Sequence, residues 1–573
     1  MNNRHKTIIG YLGLIVAIAI LGVGLWLPDV SLWRLTLLTG LWLLSLLPRA
    51  TMAGRPTATL GLARLTLVVS LVFGAVALQL AREQVAQAAS TRERVAALRQ
   101  SPVQEQPDTA AVRPGDRTAL GSGRVWEVEA ASAARGTIRD RSGAPLAETR
   151  DGLRAYSPTM GHIVGFQSRL YGTSGVEATY DADLSGSRTL SPTALLQARL
   201  AGTPFEAQPA DVTLTIDGRL QQVAQEALGE RPGAVVLLDP RTGAILALAS
   251  YPRFDPNQLV LPARASEEDV ARAQAAWQAL TQSPASPLLN RAVQGRYPPG
   301  SVIKTLTAAA ALDAQVLNGP EGQITCPNRL ETEAGAPPVV NAVENLARRT
   351  GDPSDLRRVF AWSCNTAFAQ IGLALGPERF GAYAQRFGLG YADTPAEPAL
   401  RDIPADAGTI AGDAAFLQRP VALADTAFGQ GQALVTPLDM AQMAAAVANN
   451  GAMMRPYLVQ EVRAGEQVRY SAQPEALRQV ITSQVAQQMR SIMQTSVEVG
   501  YANPVSLPGV AIGAKTGTAE APGGNPHSWF VAIAPVEQPQ FAIAVIVERG
   551  GEGSRSALPV ARQVLAAALG VQP

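Results

Sequence analysis

Residues 297–312 read YPPGSVIKTLTAAAAL. Pro298, Pro299 and Gly300 end an extended segment, since proline has no N–H to give a ladder and glycine accepts tight turns. A helix is expected from about Ser301 through the alanine run. Ser301 and Lys304 are three apart, so they share a helix face within side-chain reach. A serine hydroxyl attacks poorly until a base takes its proton, and a desolvated, neutral lysine one turn away can be that base. The helix N-terminus favours negative charge developing beside it. By itself the pair is a weak sign, because a serine cap followed by a surface lysine gives the same letters.

Composition strengthens it. Of 48 basic residues only three are lysines: Lys6, Lys304 and Lys515. The chain uses arginine wherever a plain positive charge suffices, so a retained lysine points to chemistry that arginine lacks, namely neutrality near physiological pH. Lys515 lies in GAKTGTA, a strand-like run that places Thr516 and Thr518 on one face. Gly517 between them would let a substrate backbone approach and pair with the strand edge. A lysine charge and two hydroxyls suit a carboxylate; an edge strand blunted by lysine is the plain alternative. Between the two lysines, residues 361–366 read AWSCNT. Ser363 and Asn365, two apart, can face one cavity from a loop, the hydroxyl relaying a proton between lysines and the amide holding a substrate amide. A helix-capping serine is the plain alternative.

The flanking texture sets the fold class. VTLTI (212–216) reads as a strand and DGRLQQVAQEAL (217–228) as a helix. GAVVLLD (233–239), a PRTG turn and AILALAS (244–250) form a hairpin signal. Much of 260–500 is alanine-rich and helical. Strands return at 510–519, 528–535 and 540–548, with a last helix near 556–569. Strands at both ends of a helical middle predict a mixed α/β (α+β) domain with an antiparallel sheet flanked by helices, over 206–573. Residues 126–205, with short β-like runs and many turn residues, read as a small β-rich pedestal domain. Residues 83–125 read as a partly helical linker with Pro102, Pro107 and Pro114.

The chain has 573 residues, too many for one ordinary domain. Its 47% hydrophobic and 17% charged residues exclude a disordered chain, and a net charge of +1 gives no field for nucleic acid. Two cysteines exclude a disulfide-built scaffold, and with three histidines they leave little for a metal; no cofactor is expected. Residues 7–28 carry no charge and are long enough to span a bilayer; 35–48, extended to about 31, and 65–81 are further apolar runs. Arg4 and Lys6 precede the first run, and Arg49, Arg55 and Arg64 separate the second from the third. Both basic sets belong on the cytoplasmic side, which puts everything after Arg82 outside. The expectation is a three-helix anchor over 1–82 (about 7–28, 31–48 and 64–82). A cleaved signal peptide is the alternative, without a clear small-residue cleavage site.

Together, Ser301-x-x-Lys304, Ser363-x-Asn365 and Lys515-Thr516-Gly517, at spacings of 62 and 152 residues, resemble the signature of penicillin-binding proteins and serine β-lactamases. RGTIRDRSGAPLA (135–147) is similar to the R-G-x-I-x-D-R-x-G-x-x-L-A segment of monofunctional, class B penicillin-binding proteins. So are YGTSGVEATYDADLSG (171–186), ASYPRFDPN (249–257), FGQGQALVTPLDMA (428–441) and PHSWFVAIAP (526–535). The likeness covers roughly 135–570 and is nearest to the division and penicillin-binding-protein-A types. Three spans depart from the family's usual one.

The resemblance implies a peptidoglycan D,D-transpeptidase. Ser301 would attack the D-Ala-D-Ala carbonyl of a stem peptide, release the last D-Ala and pass the acyl group to an amine of a second stem. Lys304 would be the base, Ser363 and Lys515 would relay protons, and Asn365, Thr516, Gly517 and Thr518 would bind substrate. The backbone N–H groups of Ser301 and Thr518 would form the oxyanion hole. β-Lactams would acylate Ser301. The catalytic part would lie on the outer face of a bacterial cell membrane, beside a separate glycosyltransferase of the RodA/FtsW type. A D,D-carboxypeptidase, a membrane-bound β-lactamase, a β-lactam sensor and a non-catalytic scaffold are the alternatives. Glu397 opens EPALR, which loosely resembles the E-x-x-L-N of class A β-lactamases, but Arg401 stands where that pattern has Asn, so Glu397 reads as a surface acid. His5, His162 and His527 form no H-E-x-x-H, as a metalloprotease-type sensor needs, and His527 reads as a structural hydrogen-bonder. Cys326 and Cys364 both lie on the oxidising side, where a disulfide beside the active site is permitted and two free thiols are the alternative.

Overall fold

The computed structural model describes residues 135–187, 208–262 and 264–572. The expected membrane spans of 1–82, with Lys6, the linker of 83–125, and residues 126–134 and 188–205 of the expected pedestal lie outside the described residues. Among the described residues no helix is long and apolar enough to cross a membrane.

The elements used below run along the chain as follows. Strands β1 (Ile138–Arg139), β2 (Pro145–Arg150) and β3 (Leu153–Tyr156) precede β4 (Asp211–Leu214) and helix α1 (Gly218–Leu228). Then come β5 (Gly233–Leu238), β6 (Ile245–Tyr251), α2 (Lys304–Asp313), α3 (Leu356–Ala361) and α4 (Asn365–Leu375). Helices α5 (Pro420–Phe428) and α6 (Pro437–Ala448) are followed by β7 (Val459–Ala464), β8 (Gln467–Ser471) and α7 (Ser483–Glu498). The chain closes with β9 (Gly513–Ala519), β10 (His527–Ala534), β11 (Phe541–Val547) and α8 (Ala557–Leu569).

The central sheet runs β9-β10-β11-β5-β6, every pair antiparallel, so the two ends of this region meet in one layer as expected. Its strands are apolar on both faces. Along β11, Ile543, Val545 and Val547 face α1 and α8, while Ala542, Ala544 and Ile546 face the helical layer that holds α2, α6 and α7. Alternation with period two therefore serves two cores, and the strands read as continuous hydrophobic runs rather than half-polar ones. Helix α1 starts where the Asp217 side chain accepts from the Leu220 N–H, which satisfies one orphan donor.

A second sheet runs β8-β7-β4-β1-β2-β3. The β1–β4 pair is parallel and the rest antiparallel, so strands from 138–156 and from 211–214 and 459–471 share one layer. The hairpin 459–471 departs from the helical reading of 260–500. Its buried positions, Val459, Val462 and Ala464, include an irregular step where the register with β4 shifts, which hid the strand period. The segment RGTIRD is pinned by Glu177, which is fully buried. Arg135 Nε donates to it at 2.6 Å and Arg154 Nε at 2.7 Å. Two guanidinium groups on one carboxylate compensate its desolvation.

Candidate active site

The turn carrying Ser301 is held from three sides. Trp529 Nε1 on β10 donates to the Pro298 carbonyl at 2.9 Å. Tyr297 OH and Arg291 Nε both donate to Glu548 Oε1 at 2.7 Å. Gly300 has φ +53°, and a Cβ there would lie 2.5 Å from the Thr518 carbonyl oxygen. Glycine is required on both counts, and its bare backbone lets this turn abut β9 directly. Residues 300–303 form a 3₁₀ turn, and α2 proper starts at Lys304, three residues later than the sequence reading placed it. The tighter turn still brings Lys304 Nζ to 3.1 Å from Ser301 Oγ.

Lys304 is fully buried. Its Nζ donates to the Ser363 carbonyl at 2.8 Å and to Asn365 Oδ1 at 2.7 Å, and lies 3.1 Å from Ser363 Oγ. Lys515, equally buried, places Nζ 3.0 Å from the same Ser363 hydroxyl and donates to its neighbour's carbonyl, Thr516 O, at 2.9 Å. Burial pushes both amines down. Lys304 falls well below the ordinary lysine range, by desolvation first and by the Lys515 charge second. Lys515 falls to about 7 by desolvation. Two buried lysines on one half-buried hydroxyl favour at least one neutral amine, the form a general base needs.

Ser363 sits in a left-handed turn, φ +57°, between α3 and α4. A serine there is held by its surroundings at some conformational cost, a pattern common at functional sites. Asn365 is the first residue of α4, and Cys364, rather than Ser363, is the helix cap: its sulfur accepts from the Ala367 N–H at 3.4 Å. Cys364 is bonded to Cys326, which settles the pairing the sequence left open.

The cleft beside these groups has a volume of about 420 Å³ and is lined by Ser301, Ser363, Asn365, Thr516, Gly517 and Thr518. All the substrate-binding positions read from the sequence therefore meet in one cavity, with Lys304 and Lys515 beneath it. The reason for Gly517 differs from the one expected. A Cβ there would lie 2.9 Å from Val302 Cγ1 and 2.9 Å from Trp529 Cβ, so glycine is demanded by packing against the Ser301 turn. Strand β9 is nevertheless the sheet edge. Sequence reasoning missed the aromatic wall. Trp362 and Tyr501 line the cleft and meet edge to face at 5.2 Å, with the Arg349 guanidinium 4.7 Å above Trp362. Trp362 stood inside AWSCNT, whereas Tyr501, 139 positions on, gave no signal. Glu520 and Glu552 also line the cleft and were not singled out. Glu397 is exposed and does not line it, and His527 Nδ1 accepts from the Arg549 N–H at 3.3 Å.

A serine hydroxyl beside a buried lysine, a second buried lysine on a shared serine hydroxyl and an open sheet edge are the parts that a serine acyl-transfer site needs. Comparison with known proteins agrees. The family model "Penicillin binding protein transpeptidase domain" matches residues 233–566. The chain is 38% identical over 438 residues to the peptidoglycan D,D-transpeptidase PbpA of Mycolicibacterium smegmatis, covering 73% of this chain and 83% of the relative. It is 36% identical over 436 residues to PbpA of Mycobacterium tuberculosis, covering 72% and 82%. The solved structure of penicillin-binding protein A from M. tuberculosis, as a ceftriaxone acyl-enzyme complex, superposes with a TM-score of 0.66 at 34% identity, covering 76% of this chain and 99% of that one. The chain belongs to the penicillin-binding protein transpeptidase family, as a class B D,D-transpeptidase of the PbpA type.

Proposed function

We propose the following chemistry for this site. The protein is a serine-type peptidoglycan D,D-transpeptidase that is acylated by β-lactams. Ser301 Oγ attacks the carbonyl carbon of the penultimate D-Ala of a stem peptide while its proton passes to Lys304 Nζ. The oxyanion is held by the backbone N–H groups of Ser301 and Thr518. The C–N bond breaks as a proton reaches the departing D-Ala nitrogen through Ser363 and Lys515, leaving an ester on Ser301. An amine of a second stem attacks that ester and gives up its proton to Lys304; the C–O bond breaks, Ser301 Oγ takes that proton back from Lys304, and the cross-linked amide leaves. Asn365 holds the substrate amide, while Thr516 and Thr518 with the Lys515 charge hold the terminal carboxylate beside Gly517. The single observation that carries this reading is Lys304 Nζ, fully buried, 3.1 Å from Ser301 Oγ.

The same reading takes residues 206–573 as the transpeptidase domain and 126–205 as a pedestal. Residues 83–125 are then a linker and 1–82 a three-span anchor that sets the enzyme on the outer face of the cell membrane. Three uncharged runs between basic loops support it. In this reading the enzyme works beside a membrane glycosyltransferase of the RodA/FtsW type. The β-lactamase alternative needs a carboxylate to activate water at the acyl-enzyme; Glu397 is outside the cleft, so that reading would have to use Glu520 or Glu552, which line it. The D,D-carboxypeptidase alternative differs only in its acceptor, water.

The test is mass spectrometry after incubation with a labelled penicillin, with Ser301→Ala in parallel. A single adduct on Ser301, long-lived and absent from the variant, is expected. An adduct elsewhere, or rapid bulk turnover of penicillin, overturns the reading. Paired stem peptides then separate transfer to an amine from hydrolysis.

A further inference from the structure

Nothing in the three signature segments explains why the Asn365 amide presents its oxygen, and not its nitrogen, to Lys304. The answer lies 25 residues upstream, at the end of a short hairpin formed by Arg329–Leu330 and Val339–Val340. The Val340 carbonyl, which can only accept, takes a hydrogen bond from Asn365 Nδ2 at 3.0 Å. That fixes Oδ1 on the other side, where it accepts from Lys304 Nζ at 2.7 Å. The next residue, Asn341, grips the backbone of the same turn. Its Oδ1 accepts from the Asn365 N–H at 2.8 Å and the Thr366 N–H at 3.2 Å, both orphan donors at the start of α4. Its Nδ2 donates to the Pro327 carbonyl at 3.0 Å and sits 3.3 Å from Thr366 Oγ1. One side chain thus ties the hairpin, the residue after Cys326 and the helix that begins with Asn365.

We propose that Asn341 is a positioning residue for acyl transfer: by holding the Asn365 and Thr366 backbone against Val340, it aims the Asn365 carbonyl oxygen at Lys304. Asn341 does not line the cleft and touches neither Ser301 nor either lysine, so its effect passes through Asn365. Without it, α4 loses an acceptor for its first two N–H groups, and the Asn365 amide is free to turn. Lys304 then loses its shortest acceptor contact, or meets an N–H in its place. Both changes disfavour its charged form further, on top of the Lys515 charge that already opposes it.

This inference rests on the reading of Ser301 as nucleophile and Lys304 as base, and the experiment keeps the two apart. Acylation of the whole protein by a fluorescent penicillin is followed against pH, per titratable active site, for wild type, Asn341→Ala, Asn341→Asp and Ser301→Ala. Asn341→Ala should acylate about 10- to 100-fold more slowly, as expected for a misplaced catalytic group, with its acid limb moved to lower pH. Asn341→Asp keeps both acceptor bonds to the α4 backbone but loses the Nδ2 donation to Pro327, so it should be slowed less than Asn341→Ala and keep its acid limb in place. A wild-type rate and profile in Asn341→Ala overturns the proposal, as does a loss confined to the number of titratable sites with an unmoved acid limb. If Asn341→Ala does not fold, Asn341→Asp decides: a folded, fully titratable Asp variant whose acid limb moves to lower pH, although both acceptor bonds to the α4 backbone are kept, overturns it. Label retained in Ser301→Ala would instead sink the reading of the nucleophile.

Discussion

Lys515 Nζ lies 3.0 Å from Ser363 Oγ, and that hydroxyl lies 3.1 Å from Lys304 Nζ, so one serine stands between two fully buried amines. Both ammonium forms at once would set like charges around a single hydroxyl without water to screen them. The protons of the pair therefore come off well below the ordinary lysine range, and the apparent values belong to the pair. Acylation by penicillin should accordingly rise through an acid limb at or below about pH 7, where Lys515 is placed. Stopped-flow acylation against pH checks this, and a limb near the free-lysine value would contradict it. Lys304→Arg, which cannot supply a neutral base, should lose about 10²-fold or more in rate at every pH.

The same burial has a stability consequence with a definite sign. The folded pKa of Lys515 is depressed to about 7, so between there and the unfolded lysine value the unfolded chain binds more protons. Stability should rise with pH across that window, and below it the full cost of a buried charge is felt. Lys515→Met, similar in length and uncharged, removes that cost. Its advantage over wild type should be greatest at pH 6–7 and shrink by up to about 1.4 kcal/mol per pH unit above that. Denaturant unfolding of the two proteins at several pH values measures the difference. A gap that is flat with pH would mean that Lys515 keeps an ordinary lysine pKa in the fold, charged there as it is in the unfolded chain.

Ser363 combines a left-handed backbone, φ +57°, with the hydroxyl shared by both lysines. The two properties separate under substitution. Ser363→Ala keeps the backbone strain and loses the hydroxyl; Ser363→Gly loses both. The glycine variant should be more stable than the alanine variant by about 1 kcal/mol, while both acylate about 10²–10⁴-fold more slowly than wild type. Equal stability of the two would show that the turn is unstrained, and near-normal acylation by either would remove the hydroxyl from the proton path.

Much of this was legible in the sequence because it was local. The central-sheet strands are unbroken apolar runs between turn residues, and their order at the two ends of the region implied one sheet. The lysines stood out because arginine replaces lysine nearly everywhere else, and their neighbours Ser301, Thr516 and Thr518 lie within three residues. What stayed hidden depends on distance along the chain. Tyr501 reaches Trp362 only through the packing of α7 against α3, and Asn341 reaches Asn365 only because a hairpin folds back on α4. Gly517 shows the subtler limit: the sequence reads it as room for a substrate backbone, whereas the atoms a side chain would strike first, on Val302 and Trp529, belong to the protein.

The Cys326–Cys364 bond closes a loop with a sequence separation of 38, and Cys364 stands between Ser363 and Asn365. Two effects are mixed in that residue. As a cross-link it restricts the unfolded chain, worth about 2–4 kcal/mol for a loop of this size. As the α4 cap its sulfur accepts from the Ala367 N–H, a role a serine can also fill. Replacing Cys326 by alanine in both cases, Cys364→Ala should lose both effects, while Cys364→Ser should recover about 1 kcal/mol of the cap. If the bond also holds the catalytic turn in place, both double variants should acylate at least about tenfold more slowly per titratable site, since small displacements of a reacting group are costly. Unfolding free energies and site-corrected acylation rates decide between the roles. A destabilised variant that still acylates at the wild-type rate would confine the disulfide to stability and leave Asn341, Val340 and the left-handed turn to hold Ser363 and Asn365 on their own.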